Sequence, residues 1–186
     1  MPSKRIMDPW AQNPVWQNYS SLVRESKTAD KAKTGMERAH HAIASLYFGI
    51  AALEAFVNSK MREKMEVGKV PEQEIIEKLR AGKLVEKLRK WPMEILGKHL
   101  TLSKSVLNVI SSYNGVRGEV THVKKNGQLL YRELDHIDPI TLNDSVAEYI
   151  VRFHEAGAIP YPYWIFGWNY LNPRANSYEI ILQHND

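Results

Sequence analysis

Apolar residues recur along this chain at alternating three- and four-residue spacing, the period of a helix that buries one face. The clearest run is Met36, Ala39, Ile43, Leu46, Ile50, Leu53, Val57 and Met61. It predicts one long helix over roughly 36–65, widened by Tyr47, Phe48 and Phe56. A second stripe, Leu102, Val106, Val109, Tyr113, Val116 and Val120, predicts a helix that starts after Leu100 with Thr101 or Ser103 as its cap. Shorter helices are expected over roughly 19–31, 72–81 and 84–90, with Trp91-Pro92 as an interruption. A last helix is expected over roughly 142–156, capped by Thr141 or Asn143 and stopped by Gly157. Pro2, Pro9 and Pro14 make residues 1–18 read as an irregular arm.

From Pro160 the pattern changes. Tyr161, Tyr163, Trp164, Phe166, Trp168 and Tyr170 crowd together, and Asn172 to Asn176 reads as a turn before the strand-like Tyr178–Leu182. The expected class is therefore mainly α: a helical bundle with an aromatic-rich C-terminal extension, read as a β-hairpin packed on the bundle. The expected organisation is an N-terminal arm and short helix over 1–34, a bundle over 35–156 and the extension over 157–186. Packing is the expected use of the tail's aromatics, with base stacking as the alternative.

Composition narrows the chemistry. A chain of 186 residues, 44% hydrophobic and 25% charged, suits one domain with a real core. It has no cysteine, which excludes disulfides, thiolate metal sites and a cysteine nucleophile. MPSKRIMDPW lacks the apolar core of a signal peptide, and the run Ile43–Val57 is short for a bilayer, so a cytoplasmic protein without a membrane partner is expected. The net charge of +4 is unevenly spread. Lys78, Arg80, Lys83, Lys87, Arg89 and Lys90 oppose only Glu86 within 78–90, whereas residues 133–155 are acidic. A basic block of this kind suits a phosphate backbone, although ordinary solvated helix faces carry similar charge. Lys83, Lys87, Arg89, Lys90 and Lys124 are the candidate RNA contacts. His40-His41 lacks metal-ligand spacing, His136 and Asp138, two apart in a loop, could bind a cation but read as a solvated loop, and no metal or cofactor is expected.

The most informative polar pair is Arg117 and His122, at the end of the second strong helix. Five positions apart, they stand about 140° apart on an ideal helix. A distortion at Gly115 or Gly118, or a second subunit, would be needed to bring such groups to one cleft. Their chemistry suits RNA, whose 2′-hydroxyl is a built-in nucleophile. An imidazole moves the proton and a guanidinium grips the phosphate, without a metal. The structural alternative is a surface arginine and a helix-ending histidine. Glu54 and Asn58 share one helix face and need partners in an apolar stripe, either as support for Arg117 or as a structural pair between helices.

The run Ile50-Ala51-Ala52-Leu53-Glu54-Ala55-Phe56-Val57-Asn58 on the long helix, together with Arg117-x4-His122 near the end of a later one, resembles the HEPN superfamily of prokaryotic nucleases and nucleotide-binding domains over roughly residues 35–156. The resemblance implies a helical bundle, a homodimer, and a composite RNase site where two Arg/His pairs meet; the expected function is an endoribonuclease of a defence or stress system. It implies phosphate binding by Arg117 and acid–base work by His122. Gly118 stands where members usually carry a polar residue. Lys124 stands where toxins paired with a nucleotidyltransferase often carry Tyr. Gly118 keeps a non-catalytic module that binds RNA, a nucleotide or a protein partner as the alternative, and Lys124 argues against that toxin subgroup.

Overall fold

The computed structural model describes residues 13–122, 134, 136–162 and 164–165. Among them the chain forms six helices and no strand: α1 (Pro14–Lys31), α2 (Gly35–Val67), α3 (Glu72–Arg80), α4 (Leu84–Leu96), α5 (Val106–Thr121) and α6 (Pro139–Gly157). The mainly helical class is as expected. The hairpin expected in the tail lies outside the described residues.

Two helices begin earlier than their apolar stripes suggest, and for one reason. Pro14 and Pro139 each occupy a first helical position, where the missing N–H costs nothing. Asn13 caps α1, accepting from the backbone N–H of Val15 and Trp16 at 3.1 Å each. Asp138 caps α6, accepting from Ile140 and Thr141. The arm expected over 1–18 therefore gives way to helix at Pro14. Helix α1 belongs to the bundle, with Leu22 and Ala29 buried in the core. The core thus extends N-terminal to the boundary expected at residue 35.

Helix α2 is the central element. Leu46, Ile50, Leu53, Phe56 and Val57 bury its stripe against α1, α4, α5 and α6. By length and composition α2 could cross a bilayer, but half of its most apolar window is already buried inside the bundle, as in a core helix. Gly49 permits the close crossing of α1, α2 and α6: a Cβ there would lie 2.9 Å from Leu142 Cδ2 and 3.3 Å from Leu22 Cδ1.

Helix α4 continues unbroken through Trp91-Pro92, where a break was expected. Pro92 cannot donate to the carbonyl four residues before it, that of Leu88. The hydroxyl of fully buried Tyr149, on α6, donates to that same carbonyl at 3.0 Å. A tertiary hydrogen bond thus replaces the helical one. Helix α5 starts later than expected, at Val106 after Ser105, because residues 101–105 form an irregular entry. The Ser103 N–H in that entry donates to Glu148 at 2.7 Å. At the end of α6, Gly157 is the last helical residue and Ala158 takes the left-handed cap at φ 49°. The glycine makes room for Ile159, whose Cδ1 would lie 2.8 Å from an added Cβ. Beyond it, Trp164 and Ile165 are buried, and the Trp164 ring sits 5.3 Å from that of Tyr19. The described start of the extension therefore packs on α1.

Candidate functional site

Helix α5 is unbroken from Val106 to Thr121, so Gly115 and Gly118 do not distort it. Arg117 lies four residues after Tyr113 and three before Val120, both packed against the core, and is itself half-buried. His122 is exposed at the C-cap, where its backbone N–H donates to Gly118 at 3.0 Å. The two side chains thus leave the helix on different sides. Neither makes a side-chain hydrogen bond or ion pair among the described residues. The last turn is tied down beside them: Thr121 Oγ1 donates to the Arg117 carbonyl at 2.8 Å and lies 2.7 Å from the Tyr47 hydroxyl on α2.

Glu54 and Asn58 do share one face of α2, but that face meets α4 rather than Arg117. Asn58 Oδ1 accepts from Lys87 Nζ at 3.2 Å, and Lys87 also donates to the Leu79 carbonyl. The Lys87 ammonium sits 4.9 Å from the centre of the Trp91 ring. Burial pushes the Lys87 amine below its ordinary value, while the nearby Glu54 carboxylate works the other way. The expectation of Lys87 as an RNA contact fails here: it is 4% exposed and spends its donors inside the bundle. Its position explains this, since Leu84, Lys87, Leu88 and Trp91 all fall on the buried face of α4. Lys83, Arg89 and Lys90 are exposed on or beside α4, and Lys124 lies outside the described residues. No group of three potential metal-binding side chains occurs among the described residues.

A cleft of about 470 Å³ opens along α5, lined by Ser112, Tyr113, Gly115, Val116, Glu119, His136 and Ile137. Sequence reasoning missed it, because its second wall comes from a segment distant in sequence. That wall is fixed by side chains of three helices. The Tyr113 hydroxyl donates to the Asp138 carbonyl at 3.2 Å and accepts from the Asp138 N–H at 3.1 Å. Arg38 donates to the Ile137 carbonyl at 3.3 Å and Ser26 to the Pro139 carbonyl at 3.0 Å. Burial raises the Tyr113 phenol above its ordinary value, so it keeps the proton it donates. Glu119 Oε2 is shielded from water and has no hydrogen-bond partner among the described residues.

Two other buried polar groups are structural. Burial alone would raise the Glu25 carboxyl, but His41, 2.6 Å away, and Arg24 hold it below the usual carboxylate range. His154 lies between Phe56 and Tyr161 with its Nδ1 2.7 Å from the Pro160 carbonyl, and burial holds it below the ordinary imidazole value. In comparisons with known proteins, no family model, curated protein or solved structure matches this chain.

Proposed function

We propose that this protein is a metal-independent endoribonuclease of HEPN type that cuts RNA by attack of the 2′-hydroxyl on the adjacent phosphate. The observation that carries the reading is Arg117: a half-buried residue whose side chain has no anionic partner among the described residues, five positions before the exposed His122 that ends the same helix. A guanidinium without a carboxylate partner is left to meet a phosphate through two parallel hydrogen bonds. His122 takes the 2′-hydroxyl proton, or returns one to the leaving 5′-oxygen, leaving a 2′,3′-cyclic phosphate. Because the two groups leave an undistorted α5 on different sides, one protomer does not close the site. Arg117 of one subunit works with His122 of another, which makes the active form a homodimer.

The test is cleavage of single-stranded RNA in excess EDTA. Activity should persist there, with 2′,3′-cyclic phosphate ends. His122→Ala should slow it by roughly 10²–10⁴, the usual worth of a positioned acid or base. Arg117→Lys should also be slow, because a lysine lacks the planar fork. Cleavage that vanishes only on chelation would remove the mechanism. Gly118, in place of the usual polar residue, favours a second reading, a non-catalytic binding module. That reading gains if RNA is bound but never cut and Arg117→Ala weakens the binding.

A further inference from the structure

Arg117 and His122 sit on the half of α5 that is buried least. The buried side chains of this helix, Val106 and Ile110, both lie in its first two turns. The later half carries Gly115 and Gly118, and a glycine inside a helix adds backbone freedom. Val116 and Val120 are only half-buried there. Beyond Tyr113, one side-chain hydrogen bond ties α5 to another helix among the described residues: the Tyr47 hydroxyl, on α2, lies 2.7 Å from Thr121 Oγ1. The direction of that bond follows from the proton count. A hydroxyl has one proton to give, and Thr121 gives its own to the Arg117 carbonyl at 2.8 Å. The phenol therefore donates and Thr121 Oγ1 accepts, at the usual length for two hydroxyls. A threonine that bonds back four residues makes a purely local contact. Tyr47 turns that contact into a tie across 74 positions of sequence.

We propose that Tyr47 is a positioning residue of the site: its hydroxyl, through Thr121, clamps the last turn of α5 to α2 and fixes where the His122 side chain leaves the helix. Thr121 stands directly before His122, and the carbonyl it holds is that of Arg117. The clamp thus touches the backbone of the pair and neither of its side chains. Tyr47 is 38% exposed and the bond is open to water, so it adds little to overall stability and its loss leaves the fold intact. This inference rests on the RNA-cleaving reading and adds to it a residue on α2 that holds the acid–base group in place.

The test compares Tyr47→Phe, Thr121→Val, Thr121→Ser and the Tyr47→Phe/Thr121→Val double variant in the full chain. Cleavage of a single-stranded RNA in EDTA is read beside amide hydrogen exchange at Thr121 and His122. Tyr47→Phe and Thr121→Val should each lower kcat roughly tenfold and leave KM within about twofold, because a reacting group is misplaced while the rest of the binding surface remains. The double variant should lose no more than either single one, since both remove the same bond. Thr121→Ser keeps the hydroxyl and should recover most of what Thr121→Val loses. Exchange at the two amides should quicken about fivefold in both single variants, the scale of one such hydrogen bond, with the melting temperature unchanged. A parent that cuts RNA beside variants that cut it equally well, or losses that multiply in the double variant, would overturn the clamp and keep the nuclease. A parent that cuts no RNA would remove the nuclease. The clamp would then stand if exchange quickens in Tyr47→Phe and fall if it does not.

Discussion

Replacing Tyr149 by Phe isolates the hydrogen bond that lets α4 pass through Pro92. The ring is fully buried, and its hydroxyl donates to the Leu88 carbonyl at 3.0 Å. Removing only the hydroxyl leaves the aromatic packing with Phe56 and strands a buried acceptor, which costs about 1–3 kcal/mol. Pro92 makes that cost unavoidable, because it has no N–H to offer instead. In a Pro92→Ala background the backbone N–H at position 92 can bond to Leu88. The same Tyr149→Phe change should then cost only about 0.5–1 kcal/mol. Urea unfolding of the four proteins, followed by tryptophan fluorescence and circular dichroism, gives the coupling directly. Each kcal/mol should also appear as about 2–4 °C in Tm for a chain of this size. Equal costs in the two backgrounds would show that Tyr149 does not stand in for the missing helical bond.

Three further outcomes follow from packing and charge. Gly49→Ala should destabilise by about 1–3 kcal/mol through crowding of Leu142 and Leu22, whereas Gly115→Ala should stabilise by up to about 1 kcal/mol; denaturant midpoints check the opposite signs. Trp164→Ala should cost roughly 3–5 kcal/mol, read as a lowered Tm, because its ring is buried against Tyr19. His154 is held below its ordinary value by burial, so the unfolded chain takes up the proton first. Its contribution is present above the unfolded imidazole value and is lost as pH falls through the folded one. Stability curves of the parent and His154→Phe should therefore converge on acidification.

Much of the bundle was legible because the α2 stripe keeps one period through Leu46, Ile50, Leu53, Val57 and Met61, although its first residue, Met36, is exposed; on α5 the buried residues are Val106 and Ile110, and Val109 of the expected stripe is not in the core. The errors fell where proline has two meanings. Pro14 and Pro139 follow Asn13 and Asp138, a cap-then-proline pair that starts a helix, yet they read as loop punctuation. Trp91-Pro92 read as a break, and only the fold could reveal that Tyr149 satisfies the freed carbonyl. Lys87 sat in a basic run by sequence, but its spacing from Leu84 and Trp91 already placed it on the buried face. The Arg117/His122 pair was visible as a motif, and the continuity of α5 across two glycines was not. The cleft could not be read at all, since Glu119 and His136 are joined by a tertiary tie through Tyr113 rather than by spacing.

The most direct test is subunit complementation. Arg117→Ala and His122→Ala proteins, each inactive alone, are mixed in equal amounts, allowed to exchange subunits and assayed for RNA cleavage in EDTA. If each site draws its arginine and its histidine from different protomers, a mixed dimer carries one intact site of two, and the mixture should recover about a quarter of the parent activity. A mixture as inactive as its components, beside a parent that cleaves, would contradict the composite site.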